Sequence, residues 1–150
     1  MKSLHVFPYG VRFRENGRIE AFPAVELSIC GSGTMCLRAI FYIDSGATTT
    51  VIPSGDAAAL GLDLSDSERI MVRGIGDETL MGHRCYIKFK IDNLLFKAPA
   101  IVMDNPAIPR ILGREGIFPR FGVVFDESKH RSAFIEVKRG SKVIDGLFLG

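Results

Sequence analysis

The stretch IFYIDSGATTTVIPS, residues 40–54, sets an aspartate, a serine and a glycine between two apolar, strand-like runs. Ala39 to Ile43 reads as a buried strand, and the β-branched run TTTVI that follows favours another. Asp44 therefore leaves one strand and enters a sharp turn before the next. Ser45 offers a hydroxyl to the backbone, Gly46 permits an approach that a Cβ would block, and Ala47 keeps the volume small. Two uses fit such a turn. Either the Asp44 carboxylate is aimed into a cleft, or it caps the connection as an Asx-turn.

Upstream, residues 4–44 read as three extended runs punctuated by Asn16-Gly17 and Gly31-Ser32-Gly33, turn signals that supply positive φ at little cost. Downstream, RIMVR, RCYIKFKI, LLFKAPAIVM, RIL, FGVVFD and AFIEVK read as further strands, with Asp92-Asn93 and DESKH as turns. The clear helical segment is PSGDAAALGL, where Ser54 can cap, the alanines propagate and Gly61 ends the helix. A second short helical turn is predicted in GREGIF, stopped by Pro119. Between these, VRGIGDETLMG predicts a glycine-tipped hairpin. Its G-x-G runs into a strand rather than a helix, which excludes a dinucleotide fingerprint.

Composition narrows the function classes. The 150 residues fit one domain, 1–150, because no linker-like stretch divides them. With 47% hydrophobic and 24% charged residues the chain has enough apolar surface to fold. A net charge of +2 and short basic clusters argue against a nucleic-acid partner. His5, His83 and His130 share no metal-ligand spacing, so no metal is expected. Cys30, Cys36 and Cys85 are odd in number and form no C-x-x-C pair, which predicts reduced thiols and a cytoplasmic location. The N-terminal MKSLHVFPYG lacks the apolar core of a signal peptide. No apolar run approaches the ~20 residues of a membrane span. Ser45 lies outside any G-x-S-x-G elbow, and Cys85 reads as a small buried hydrophobe despite His83 two residues away.

Taken in order, DSGATTTVIP, the glycine-containing hairpin and ILGREGIF resemble the retropepsin-like aspartic proteases, the single-domain family that includes the retroviral proteases. The resemblance spans about residues 36–126, leaving an N-terminal strand extension over 1–35 and a C-terminal strand or tail over 127–150. It implies an all-β, closed β-barrel domain with one or two short helices, working as a two-fold homodimer. Within the D-S-G triplet, Asp44, Ser45 and Gly46, the aspartate is implied to be catalytic, and Ser45 to bond across to the partner's matching turn. Ile111, Leu112 and Gly113 are implied to pass behind that turn, with Arg114 as further support. Gly74, Ile75 and Gly76 correspond to a flap tip. Tyr42, Ala47, Thr48, Val51, Pro109 and Ile111 are implied to face a peptide or protein substrate, with hydrophobic residues beside the cleaved bond.

One aspartate cannot both take a proton from water and hand one to the scissile carbonyl, and the chain holds no second D-[ST]-G. The second carboxylate is therefore expected from another copy, with no cofactor. Three features depart from the retroviral pattern. Thr48 stands where an acidic residue often supports the arginine, so Arg114 needs a carboxylate from Glu115 or from the lead-in. The lead-in is longer, and the SKVIDGLFLG tail is extra: it either pairs with its copy or covers its own core. The alternative reading is a catalytically inactive, peptide-binding or assembly domain on the same fold.

Overall fold

The computed structural model describes residues 3–74 and 76–150. The central sheet grows from β4 (Ala24–Cys30) and β5 (Cys36–Ile43), paired antiparallel from Ala24↔Tyr42 to Cys30↔Cys36. Alternation decides which way β5 faces: Ala39, Phe41 and Ile43 are buried, while Arg38, Ile40 and Tyr42 point to the other side. The two-residue β10 (Ile111–Leu112) lies parallel to β5 and antiparallel to β6 (Thr50–Pro53). Next come β9 (Leu94–Met103), parallel to β6, then β8 (Thr79–Ile91) and the edge strand β7 (Glu68–Arg73). Ser28–Cys30 of β4 also pair with Lys88–Lys90 of β8. From Ala98 onward β9 is buried on both faces, which its apolar run AIVM allows.

Beneath this sheet, β1 (Leu4–Pro8), β12 (Arg131–Glu136) and β11 (Phe121–Asp126) form a three-stranded antiparallel layer. Phe121 packs on Phe96 and Phe134, with ring centroids 5.8 and 5.6 Å apart, joining the layer to the main core. A separate hairpin of β2 (Gly10–Phe13) and β3 (Ile19–Phe22) turns at Asn16-Gly17, where Gly17 has φ 76°. The first of the three extended runs is thus split at Tyr9, because β1 pairs with β12 and β2 with β3.

The helix over PSGDAAALGL forms as α1 (Ser54–Ala59) and ends at Gly61, φ 64°. Pro53, not Ser54, occupies its N-cap, so the serine hydroxyl does no capping. GREGIF is not a helix but a series of turns, with Ile117 and Phe118 both donating backbone bonds to the Arg114 carbonyl.

The all-β expectation is corrected at the C-terminus. Residues expected as a strand or tail form α2 (Val137–Phe148), kinked at Gly140, so the fold is a mixed one, a β-sheet core with two helices. Gly140 and Ile144 turn inward: a Cβ on Gly140 would stand 2.5 Å from Ile135, and Ile144 packs on Gly122. That four-residue spacing is the helical signal, and alternation does not reveal it.

The cysteines also differ from expectation. Cys30 and Cys36 face each other across the β4–β5 hairpin and form a disulfide, with their Cα atoms 4.1 Å apart. Counting parity and searching for C-x-x-C misses a pair placed cross-strand by its hairpin loop. Cys85 is free, and burial pushes its thiol pKa up, away from the reactive thiolate. Among the described residues no helix is long and apolar enough to cross a membrane.

Candidate active site

Four hydrogen bonds lace the turn after β5 to the segment after β10. The Asp44 N–H donates to the Leu112 carbonyl (3.1 Å), and the Gly113 N–H to Thr50 Oγ1 (3.1 Å). The Arg114 N–H donates to the Ala47 carbonyl (3.0 Å) and the Glu115 N–H to the Thr48 carbonyl (2.7 Å). Such closeness requires glycine: a Cβ on Gly113 would lie 2.4 Å from the Thr49 carbonyl carbon and 2.8 Å from the Thr50 nitrogen. Thr49 and Thr50 are accordingly buried, whereas Asp44, Ser45 and Gly46 are exposed.

Asp44 thus stands, exposed, at the end of a strand buried on one face. Its Oδ1 accepts the Gly46 N–H at 2.9 Å, and the Ala47 N–H closes the turn onto its carbonyl at 3.2 Å. Of the two uses open in the sequence, the Asx-type bond forms, and it leaves the Asp44 residue exposed. Gly46 contributes room, since a Cβ there would sit 3.2 Å from Oδ1. Ser45 makes no hydrogen bond among the described residues of the single chain.

Tyr42, Ile111 and Val51 lie opposite one another on β5, β10 and β6, a half-buried row on the side away from Ile43 and Leu112. Thr48 and Pro109 are exposed at either side of this region, and Ala47 is half-buried. The β7–β8 hairpin carries Gly74, whose N–H donates to the Glu78 carbonyl, and Gly76, with φ 91°. Ile75, placed by sequence at the same tip, lies outside the described residues.

The partner of Arg114 is not found where the sequence suggested. Glu115 gives its carboxylate to Arg84 of β8 (2.5 and 3.1 Å) and to Thr49 Oγ1 (2.9 Å), and Arg114 forms no ion pair among the described residues. The hydrogen bond from Arg84, then that from Thr49, holds the Glu115 carboxyl below the usual carboxylate range. A second pair was equally invisible in the sequence. Buried Asp56, in the first turn of α1, receives Arg110 Nε and Nη2 at 2.6 and 2.8 Å, steadying the chain as it enters β10. The signal available for these residues was charge beside apolar strand segments, which does not specify partners.

The sequence matches the family described as Aspartyl protease over residues 25–115, more than half of the chain. The chain belongs to the aspartyl protease family. Its domain is retropepsin-like, and the matched residues run from β4 to the Glu115 that locks the turn. In fold, this aspartyl protease domain resembles the crystal structure of a retropepsin-like aspartic protease from Rickettsia conorii, with TM-score 0.55 and 18% identity. That alignment covers 88% of this chain and 92% of the other. The EIAV protease complexed with the inhibitor HBY-793 aligns with TM-score 0.48 and 20% identity, over 62% of this chain and 82% of that one. No curated protein matches the chain. Family membership supports a capacity for peptide hydrolysis, and no pair of catalytic aspartates forms among the described residues of one chain.

Proposed function

We propose that the protein is an aspartic endopeptidase whose site is completed by a second copy of the chain, each supplying its Asp44. The observation that carries this reading is the exposed Asp44, held by Gly46 and backed by the Gly113 crossing, in a chain of this family. One ionised Asp44 takes a proton from water as it attacks the scissile carbonyl, and the protonated Asp44 of the partner donates to the carbonyl oxygen. Two adjacent carboxylates resist both being ionised, so the pair works while it shares one proton, and activity peaks in acidic to mildly acidic solution. In this arrangement Ser45, unbonded in one chain, faces the partner's turn. The β7–β8 hairpin acts as a flap that excludes water, and the Tyr42–Ile111–Val51 row receives apolar substrate side chains. The β4–β8 pairing supports reading the curled sheet as a closed barrel.

The test is to incubate wild type and Asp44→Asn with a proteome-derived peptide mixture at mildly acidic pH and read new termini by mass spectrometry. New cuts flanked by apolar residues, with wild type alone, are expected. A folded, dimeric wild type that binds peptides and never cuts them would indicate the binding module instead.

A further inference from the structure

The longer lead-in has a defined place beside the site. Gly10 of β2 faces Phe22 of β3, and a Cβ on Gly10 would stand 2.4 Å from the Phe22 ring. Glycine therefore lets that ring lie flat across the hairpin, where it stacks on Tyr42 at 4.2 Å with an interplanar angle of 18°. Arg12, on the same face of β2 as Gly10, donates from Nη1 to the Tyr42 hydroxyl at 3.2 Å. Its guanidinium lies 5.9 and 5.7 Å from the Phe22 and Tyr42 ring centroids. Tyr42 is two residues before Asp44 and in register with Ile111, so the hairpin brings its charges to the rim of the apolar row.

Those charges are unequal. Arg12 and Arg14 both close on the same oxygen, Oε2 of Glu20, at 2.8 and 2.6 Å. Hydrogen bonds from Arg12 and then Arg14 hold the Glu20 carboxyl below its usual range, so it stays ionised in mild acid. Two cations thus share one anion, and all three side chains remain 40–51% exposed. The rim keeps a net positive charge with donors open to solvent.

We propose that Arg12 and Arg14 form a specificity subsite that selects an acidic side chain in the substrate peptide, within about four extended residues of the bond held at Asp44. This rests on the peptide-cleaving reading of Asp44 and adds a polar requirement to its apolar row. Arg12 is ordered on Tyr42 before substrate arrives, which lowers the entropy cost of engaging a carboxylate. Glu20 keeps the two guanidiniums together without neutralising both.

Two readouts separate the subsite from the chemistry. The first is the affinity of Asp44→Asn for peptides with an apolar centre and a single flanking Glu, Gln or Lys. The second is cleavage of the same peptides by the active chain. Glu peptides are expected to bind about fivefold tighter than Gln peptides at low salt, with the gap narrowing as salt rises. Arg12→Gln with Arg14→Gln should erase the gap while peptides with the flanking Gln still bind. Equal binding of all three peptides, a preference that survives the double substitution, or no peptide binding at all would overturn the subsite. A Glu preference in binding with no cleavage by the active chain would uphold the subsite and defeat the catalytic reading.

Discussion

Gly113 passes Thr49 so closely that the two backbones touch: the position of a Cβ on Gly113 lies 2.6 Å from the Thr49 carbonyl oxygen. The crossing fixes the height of the Asp44 turn, because the Asp44 N–H bonds the Leu112 carbonyl one residue before it. Gly113→Ala should therefore cost about 1–3 kcal/mol through forced backbone movement. It should also reduce peptide cleavage more than a surface substitution of equal stability cost. Denaturant midpoints alongside turnover check this; unchanged stability would mean that the crossing is looser than described.

Arg84 and Glu115 make a second lock, between β8 and the loop behind Asp44. Glu115→Gln should destabilise the fold at neutral pH by up to about 1 kcal/mol, the pair being partly exposed. Because the folded-state carboxyl titrates below its unfolded value, its stabilisation is present above the unfolded pKa and lost as pH falls through the folded one. The stability difference between wild type and Glu115→Gln should shrink as pH drops below about 4. A difference constant from neutral pH to strong acid would contradict the assigned cause.

Cys30 and Cys36 predict a thiol count. Unfolded without reductant, the protein should titrate one thiol, Cys85, and after reduction all three cysteines. Replacing the pair by alanine should lower stability by about 2 kcal/mol on the loop-closure estimate for so short a loop. Three free thiols in protein purified without reductant would show that the pair stays reduced.

Much of the site was legible because local chemistry dictated it. Turn and close-approach rules marked the Asp44-Ser45-Gly46 turn between apolar runs and a close-approach glycine at Gly113, and the family resemblance set the one behind the other. Strands β7 to β12 were legible for the same reason, their β-branched and apolar residues being bounded by turn residues. The rest depended on tertiary partners. Glu115 had Arg114 next to it in sequence and chose Arg84, 31 residues away. Arg12 reaches Tyr42 from a hairpin that is distant in sequence, on which Gly10 leaves room for the Phe22 ring. The helix α2 was hidden by reading the last ten residues apart from Val137 and Gly140, where its apolar stripe begins.

The most direct test of the shared Asp44 pair is to mix wild type with Asp44→Asn at constant total concentration, let subunits exchange, and measure peptide cleavage against the wild-type fraction. Because a mixed dimer would hold only one Asp44, activity should fall as the square of that fraction. A linear fall, as from sites that each need a single chain, would contradict the account.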